Sequence, residues 1–245
     1  MSAPTFTQRL AVRDRPDRSP VMFQTWSNLL FLHWRWDAET IQRTLPAGLT
    51  VDTFDGSAWL GIVPFFMRNI RPRFCPCVPW INNFLELNVR TYVFDEQGRP
   101  GVWFFSLDCN QPIAVWTART FFHLPYQHSR MKARIATEGA VDYTNQRKGH
   151  NETSRFCYTL AETTTTAEPE SLEFFLLERY LLFSSAPHGM RCGQVHHAPY
   201  PVTSAKVSAW DTHVLHLNRF TEPTRQPDHI CGSPGVDVSI FPLTL

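Results

Sequence analysis

The segment from Phe84 to Asp108 constrains the fold more than any other part of this 245-residue chain. Two strand-like stretches flank the turn sequence DEQGRPG, a pattern that predicts a β-hairpin. Successive side chains of a strand point to opposite faces. One face of the first stretch therefore carries Glu86, Asn88, Arg90 and Tyr92, and the other carries Leu85, Leu87, Val89 and Val93. Charges among so many apolar residues are costly to bury unless they are paired, so the pattern indicates a polar pocket inside a β-rich fold.

The composition indicates a folded domain with no strong electrostatic preference for a partner. Hydrophobic residues make up 43% of the chain and charged residues 18%, which excludes wholesale disorder. The formal net charge of +1 gives no reason to expect a nucleic-acid partner. The sequence contains no run of about 18 apolar residues, so we expect no membrane span.

The first 20 residues alternate Arg, Asp and Pro and lack the apolar core of a signal peptide. We expect residues 1–20 to form a flexible, solvated tail. Because no shift in composition marks a boundary, we expect residues 21–245 to form a single domain. The absence of a signal favours a cytoplasmic location, where the six cysteines would be reduced thiols.

Local patterns predict strands interrupted by a few helices. Residues 21–36 read as a buried strand, and Asp37 is a typical helix N-cap. A short helix is predicted over 111–123 and an amphipathic helix over 172–183, beginning at Ser171. Residues 130–139 and 155–163 are predicted strands joined by a polar connection over 143–154. The proline-containing segment 68–83 predicts an irregular loop over the mouth of a pocket.

No motif in the sequence predicts a cofactor or a metal site. The pair Cys75-Pro76-Cys77 lacks a matching second pair, and metal binding needs convergent ligands. His213 and His216 would lie on opposite faces of the strand predicted there. The glycine-rich, nucleophile-elbow and zinc-protease motifs are all missing. We therefore expect no cofactor and no metal.

Six sequence blocks resemble, in order, the YqjF-like family of uncharacterised bacterial proteins. The first runs from Trp26 to Met67, and the others are ELNVRTYV, GRPGVWFFSLD, ARTFFHLPY, LERYLLF and HHAPYP. The family belongs to the acetoacetate decarboxylase-like superfamily. The resemblance implies a mostly β (α+β) fold, a closed antiparallel β-barrel or cone with a few peripheral helices and an internal pocket.

The resemblance argues against the chemistry of true acetoacetate decarboxylases. Those enzymes form a Schiff base on a lysine that follows a proline, whereas this chain has Tyr126 after Pro125. A tyrosine cannot form a Schiff base, because that reaction requires an unprotonated amine. The nearest lysine, Lys132, lies six residues further along, and the chain has only two others, Lys148 and Lys206. Glu86 matches the position of one pocket carboxylate of the superfamily.

These observations predict a site for a small carbonyl or carboxylate compound. Glu86 is the candidate for moving a proton, and Tyr126 is a candidate phenol donor or general acid. Arg90 and Asn88 are candidates for binding an oxygen of the substrate. The alternatives are a solvent-facing Glu/Arg pair and a tyrosine that only packs.

Other polar residues near these positions have less certain roles. Arg119 and His197 are further candidates for binding the substrate. Alternatively, Arg119 forms an ion pair with Asp108 or Glu86. Asp108 either lines the pocket or caps the next turn. His196 and His197 point opposite ways on a strand, so only one of them can face the pocket.

Three functional hypotheses remain open at this point. The first is an enzyme of lyase, hydratase or isomerase type that works without a Schiff base. The second is a non-catalytic binding or sensing barrel. The third is a fold whose pocket is filled by aromatics. An enzyme predicts a water-accessible cavity that exposes Glu86 and Arg90, a binder predicts a larger, mostly apolar cavity, and a filled fold predicts none. Assembly into a homo-oligomer is also possible.

Overall fold

Twelve strands and five helices make up the described part of the protein, residues 3–187 and 189–244 of a computed structural model. The strands are β1 (Met22–Trp36), β2 (Leu49–Val51), β3 (Ala58–Pro72), β4 (Phe84–Asp95), β5 (Pro100–Cys109), β6 (Tyr126–Ile135), β7 (Val141–Arg147), β8 (Ser154–Leu160), β9 (Leu181–Ala186), β10 (Gly189–His196), β11 (Ala205–Ala209) and β12 (His229–Ile240). The helices are α1 (Phe6–Ala11), α2 (Ala38–Gln42), α3 (Pro112–Phe121), α4 (Leu172–Leu177) and α5 (His213–His216).

Hydrogen bonds between strands close part of the sheet into a ring. The order around the ring is β4, β5, β9, β10, β12, β1, β3 and back to β4. Every pairing in the ring is antiparallel except the short contact between β5 and β9, which is parallel. The chain therefore forms the closed, mostly antiparallel β-barrel with a few helices that the family resemblance implied.

Four further strands cover the outside of this barrel. β6 extends from β5 by a short parallel pairing, and β7, β8 and β11 follow in antiparallel order. Apolar side chains of this layer, such as Tyr143 and Phe156, pack against outward-facing residues of the barrel strands, such as Leu87 and Val89. The central strands are therefore buried on both faces.

The alternation predicted for the first strand of the hairpin is present in β4. Leu85 and Leu87 belong to the apolar cluster outside the barrel, whereas Phe84 and Tyr92 belong to the cluster inside it. Every residue of β4 is buried. Polar groups on its inner face must therefore find partners within the protein or in a ligand.

The predicted helix starts at Asp37 and near residue 111 are confirmed. The Asp37 carboxylate accepts a hydrogen bond of 2.7 Å from the Thr40 N–H and caps α2. The Gln111 side chain accepts from the Ile113 N–H and caps α3, which has Pro112 in its first turn. This short helix carries apolar residues to one end of the barrel.

The helix predicted over 172–183 is wrong beyond its first half. α4 ends at Leu177, and the residues from Leu181 onward form β9. In β9, Leu182 and Phe183 pair with β10 on one side and β5 on the other. Apolar residues at helical spacing also suit a strand that is buried on both faces, so the pattern did not separate the two.

Two other local predictions are also wrong. The polar connection predicted over 143–154 contains most of β7, which has a buried residue at every second position. Its polar members are tolerated because Asn145 and Arg147 both bind Asp108. His213 and His216 lie on the short helix α5 rather than on a strand.

The N-terminal segment differs from the solvated tail that we expected over residues 1–20. Thr5 begins α1 with a capping box to Gln8. Arg9 then donates from Nη1 to Oδ2 of Asp52 at 2.6 Å, and Arg179 donates to the same carboxylate at 2.8 Å. Asp52 is fully buried, so the tail supplies part of the counter-charge that this carboxylate requires.

Two properties of the whole described chain bear on its environment. All six cysteines are free thiols. Among the described residues, each helix falls short of the length and apolar character needed to cross a membrane.

The buried Asp52 ion pairs should stabilise the fold. Burial raises the pKa of Asp52, but the guanidiniums of Arg179 and Arg9 outweigh burial and hold this pKa below its ordinary value. The substitution Asp52→Asn should lower the free energy of unfolding by about 3–5 kcal/mol, because it leaves two guanidiniums without their anion. Urea denaturation at pH 7 measures the change.

The matched control for this prediction is Glu39→Gln, which breaks an exposed pair with Arg43. It should change the free energy of unfolding by less than about 1 kcal/mol. An Asp52→Asn protein as stable as this control would contradict the prediction.

Candidate functional site

The barrel contains a cavity with a volume of about 270 Å³. Most of its lining is apolar, and strands β1, β3, β5 and β12 contribute Leu29, Val63, Phe65, Phe104 and Ile240 to it. A fold whose pocket is filled by aromatics predicts no such space. The cavity therefore favours the enzyme and the binder over that hypothesis.

One end of the cavity is lined by the loop 73–83 and by α3. The loop contributes Pro76, Val78 and Ile81, as expected for a proline-containing segment over a pocket mouth. The loop predicted over 68–83 is wrong for its first five residues, which continue β3 to Pro72. Exposed apolar side chains are concentrated in the same two segments, including Trp80, which is 90% exposed. The large exposed residues there are Phe74, Val78, Trp80, Ile113, Trp116 and Phe121.

The polar part of the lining comes mainly from β4. Phe84, Glu86, Asn88 and Arg90 all line the cavity, as the alternation along the strand predicts. A β-bulge in β5 lies opposite this strand, because Val89 pairs with Ser106 while Arg90 pairs with Phe104. The extra residue, Phe105, packs in the outer cluster, so Phe104 can face the cavity beside Arg90.

Glu86 and Tyr126 form a buried hydrogen-bonded pair in the cavity wall. The Tyr126 hydroxyl donates to Oε2 of Glu86 at 2.6 Å. Burial raises the pKa of Glu86 from its ordinary value of 4.5 to about 7, the Tyr126 hydrogen bond opposes this rise, and the charge of Asp108 adds to it. Glu86 therefore exchanges a proton near neutral pH, the property required of a general acid or base.

Arg90 is buried without a carboxylate partner among the described residues. Its Nη2 donates to the Leu176 carbonyl oxygen at 3.2 Å, and its Nε has no partner. Aromatic faces surround the charge, with the guanidinium carbon 5.5 Å from the ring centre of Phe31 and 5.6 Å from that of Tyr92. These contacts offset only part of the cost of burying a cation, so the position suits an anionic ligand.

Asn88 lies between Glu86 and Arg90 on the same wall. Its side-chain oxygen is buried and has no hydrogen-bond partner in the described part of the chain. Four strand residues rise about 13 Å, so Arg90 and Glu86 stand at the two ends of this polar strip. At that separation Arg90 is not among the groups that shift the pKa of Glu86.

Tyr200 also lines the cavity, and the sequence reasoning missed it. Its backbone N–H donates to Oε1 of Glu178 at 3.1 Å, and the Tyr180 hydroxyl donates to the other oxygen of that carboxylate. The block HHAPYP contains Tyr200, but nothing in the block indicates which side chain points inward. The contact with Glu178 comes from a distant part of the chain.

His197 lies behind the cavity wall instead of in it, which corrects its predicted role in binding substrate. The residue is only 4% exposed, and its ring centroid lies 4.6 Å from those of both Tyr180 and Tyr200. Burial lowers the pKa of His197 to about 4, so the ring is neutral at pH 7. His196 is half-buried and also lies outside the lining.

Arg119 and Asp108 are also outside the lining. Arg119 donates from Nε to the Tyr126 carbonyl oxygen at 2.6 Å, so it braces the start of β6 and binds neither Asp108 nor Glu86. Asp108 neither lines the cavity nor caps a turn, because Arg147 and Asn145 occupy its carboxylate. Its contribution to the site is the negative charge that raises the pKa of Glu86.

The three lysines lie outside the cavity. Lys132, Lys148 and Lys206 are all exposed, and none of them is in the lining. The amine of Met1 lies outside the described residues. Within residues 3–187 and 189–244, no three or more His, Cys, Asp or Glu side chains are arranged to hold a metal ion.

The comparisons with known proteins agree with this architecture. The model of the DUF2071 family, described as an uncharacterized conserved protein, matches residues 23–237. The chain is 37% identical over 213 residues to the uncharacterized protein YqjF of Bacillus subtilis (strain 168), covering 86% of this chain and 87% of the relative.

Solved structures show the same fold at low sequence identity. An acetoacetate decarboxylase-like enzyme from Sphingomonas wittichii RW1 superposes with a TM-score of 0.62 and 13% identity, covering 93% of both chains. The enduracididine biosynthesis enzyme MppR complexed with pyruvate gives a TM-score of 0.58 and 15% identity, covering 93% of this chain and 90% of MppR. The barrel is therefore an acetoacetate decarboxylase-like fold.

The raised pKa of Glu86 should make the stability depend on pH. Between pH 4.5 and about 7 the unfolded chain loses the Glu86 proton while the folded protein retains it, so the folded state loses stability as pH rises. The substitution Glu86→Gln removes this loss. Relative to the wild type, the variant should gain about 3 kcal/mol in free energy of unfolding between pH 4 and pH 8.

Urea denaturation of both proteins at the two pH values measures this gain. Glu138→Gln, at an exposed position, serves as the control and should show no such gain. A Glu86→Gln protein whose stability relative to the wild type is constant with pH would show that Glu86 titrates normally.

Proposed function

This chain belongs to the DUF2071 family of uncharacterized conserved proteins, and we propose that its barrel binds a small, mainly apolar compound that carries one carboxylate. The observation that carries the proposal is the buried Arg90 guanidinium, which lines the cavity without a carboxylate partner among the described residues. A buried cation is stable when an anion pairs with it. A ligand in the cavity is the available source of that anion.

The rest of the lining limits what the compound is. Arg90 is the only Arg or Lys side chain that lines the cavity in the described part of the chain, so one negative charge suffices. The remaining surface is largely apolar, which favours a hydrocarbon body. The pyruvate bound to MppR, a protein of the same fold, is likewise a small carboxylate.

The polar strip on β4 favours a second oxygen at some distance from the carboxylate. With the carboxylate at Arg90, the body of the ligand would pass Asn88 and reach Glu86 about 13 Å along the strand. Near pH 7 Glu86 is protonated in part and can donate to a carbonyl oxygen. A compound whose carbonyl lies several carbons from its carboxylate satisfies both ends.

A second candidate function is acid–base catalysis on that carbonyl without a Schiff base. The observation that favours it is the Glu86–Tyr126 pair, because the pKa of Glu86 is about 7. The Glu86 carboxylate would accept a proton from the carbon beside the carbonyl, the C–H electron pair would form an enolate, and Glu86 would return the proton. This step is common to isomerase, hydratase and lyase chemistry. The exposure of all three lysines supports a mechanism without a lysine amine.

Two expectations about the surroundings of the protein remain predictions. The first is its cytoplasmic location. Homo-oligomer formation is supported by the exposed apolar side chains at the cavity mouth, such as Phe74, Trp80 and Trp116, which a second copy would remove from water.

Binding of hexanoate and of 1-hexanol, measured by calorimetry at pH 7, tests the proposed ligand class. Both share an apolar body, but only hexanoate offers an anion to Arg90. Arg90→Gln should lower the affinity for hexanoate at least about tenfold, because it removes a charged hydrogen-bond donor. It should change the affinity for 1-hexanol by no more than about twofold.

Arg68→Gln is the matched control, since Arg68 lies on β3 outside the lining, and it should change neither affinity. Thermal melting of Arg90→Gln checks that the variant is folded, and Arg90→Lys provides a second variant that keeps the charge. Equal hexanoate affinity in the wild type and both Arg90 variants would refute an anion site at Arg90.

Exchange of deuterium into 10-oxoundecanoate, a keto acid long enough to reach from Arg90 to Glu86, tests the catalytic candidate. In D₂O the protein should accelerate exchange at the methyl group beside the ketone, followed by proton NMR. Glu86→Gln should reduce the rate at least about 100-fold, since it removes the base, and Tyr126→Phe should shift the pH dependence of the rate upward. If the wild type exchanges no faster than buffer while still binding hexanoate, the protein is a binder.

A further inference from the structure

Four side chains form a hydrogen-bonded chain from the inner wall of the barrel to the surface. The Tyr92 hydroxyl lies 2.7 Å from Nε2 of His33. Nδ1 of His33 lies 3.2 Å from Nδ1 of His229, and Nε2 of His229 lies 3.2 Å from Oε1 of Glu173. Tyr92 and His33 are fully buried, whereas the Glu173 side chain is 41% exposed. None of these four residues lines the cavity, so the proposed binding function does not already account for them.

His33 and His229 are both neutral at pH 7. Burial lowers the pKa of His33 well below its ordinary value, and the charges of His229 and Arg90 act in the same direction. Burial also lowers the pKa of His229, although Glu173 opposes that shift. A neutral imidazole has one donor nitrogen and one acceptor nitrogen, so each ring can pass a hydrogen bond in only one direction at a time.

The carboxylate at the end of the chain fixes that direction. Glu173 can only accept, so Nε2 of His229 donates and its Nδ1 accepts. Nδ1 of His33 must then donate, which leaves its Nε2 to accept from the Tyr92 hydroxyl. The hydrogen of Tyr92 therefore points toward His33, and the lone pairs of its oxygen remain free for other donors.

The hydrogen-bonded chain runs beside Arg90 because four neighbouring strands place His229, His33, Gly61 and Arg90 in one row. His229 pairs with His33 across β12 and β1, His33 pairs with Gly61 across β1 and β3, and Gly61 pairs with Arg90 across β3 and β4. A Cβ on Gly61 would lie 3.0 Å from the His33 ring and 3.4 Å from Cγ of Arg90. Because Gly61 has no side chain, the side chains of His33 and Arg90 can both lie across β3 at this position.

Two cations lie against Tyr92. The guanidinium carbons of Arg90 and Arg179 are 5.6 Å and 5.3 Å from the centre of its ring. Arg179 is neutralised by Asp52, whereas Arg90 has no carboxylate partner among the described residues. A tyrosine oxygen that presents its lone pairs to this positive field stabilises the guanidiniums without neutralising them, and one that presented its hydrogen would destabilise them.

We propose that Glu173, His229 and His33 are positioning residues that hold the Tyr92 hydroxyl with its hydrogen toward His33, fix the Tyr92 ring against the Arg90 guanidinium, and so keep that guanidinium in place for the anion of the ligand. The inference rests on the proposed function, because it takes Arg90 as the anion site. The observations that support it are different from those that support the proposed function, since the hydrogen-bonded chain approaches Arg90 from outside the cavity. A surface carboxylate thereby controls affinity at a buried cation.

The first experiment determines which way the hydrogen bonds run between His33 and His229, and it does not depend on any ligand. Long-range proton–nitrogen NMR correlations on the full protein, labelled with ¹⁵N in histidine, identify which ring nitrogen carries the hydrogen. We expect His33 to carry it on Nδ1 and His229 to carry it on Nε2 at pH 7. The opposite assignment at either ring would overturn the proposal.

The second experiment measures the affinities for hexanoate and 1-hexanol by calorimetry at pH 7. Glu173→Ala removes the acceptor at an exposed position. It should lower the affinity for hexanoate by about three- to tenfold, the effect of one hydrogen bond, and leave the affinity for 1-hexanol unchanged. Removal of a negative charge by itself would strengthen the binding of an anion, so the expected direction is opposite to a simple charge effect. Glu173→Gln retains an acceptor oxygen and should restore the wild-type affinity.

Glu168→Ala is the matched control, because it removes an equal charge from an exposed position outside the chain and should not weaken hexanoate. Equal weakening by Glu173→Ala and Glu173→Gln, or weakening of hexanol as well, would overturn the positioning role. If Arg90→Gln weakens hexanoate but Glu173→Ala does not, the positioning role fails while the proposed function stands. If Arg90→Gln has no effect either, the proposed function itself fails.

Discussion

The burial of the central barrel strands on both faces, complete along β4, is the constraint on which the rest of the structure depends. The outer faces pack under the β6–β7–β8–β11 layer, and the inner faces surround the cavity. A charged side chain on such a strand cannot reach bulk water and must be paired inside the protein. Asp108 is paired in this way with Arg147, and Asp52 with Arg9 and Arg179. Arg90 lacks such a carboxylate in the described chain, and this exception gives the cavity its chemical character.

The partner of Glu86 at the cavity wall is a phenol, Tyr126, and not an amine. A lysine next to Glu86 would form an ion pair and keep the carboxylate charged, whereas a phenol supplies one neutral hydrogen bond. Burial therefore dominates and raises the pKa of Glu86 to about 7. A phenol cannot form a Schiff base, so the pair fits the binding and proton-transfer roles that we propose for it.

The polar wall was predictable from the sequence because it depends on one strand. Alternation along β4 placed Glu86, Asn88 and Arg90 on one face, and no distant contact was needed to recognise it. The resemblance to a known family made Tyr126 a candidate for the same pocket, but its hydrogen bond with Glu86 was not predicted. The roles of Arg119 and His197 were not predictable, because each depends on which neighbours the barrel brings to it.

The chain from Tyr92 to Glu173 illustrates what the sequence does not show. Its members lie on β1, β4, α4 and β12, and only the pairing register of the strands brings them into line. The helix predicted over 172–183 included Glu173 but gave no reason to place it beside a histidine. The signal that remains in the sequence is Gly61, a glycine inside an apolar strand where a larger residue would normally pack better.

The separation of Glu86 from Arg90 follows from the same geometry and decides how the cavity can work. Opposite charges in contact would neutralise each other, and Glu86 would then remain ionised with a low pKa. At about 13 Å along the strand, with the uncharged Asn88 between them, each keeps its own property. Arg90 remains a cation in need of an anion, and Glu86 remains a carboxyl group that exchanges its proton near neutral pH. A ligand with an anion at one end and a carbonyl at the other engages both, so the spacing along one strand sets the length of the compound that fits.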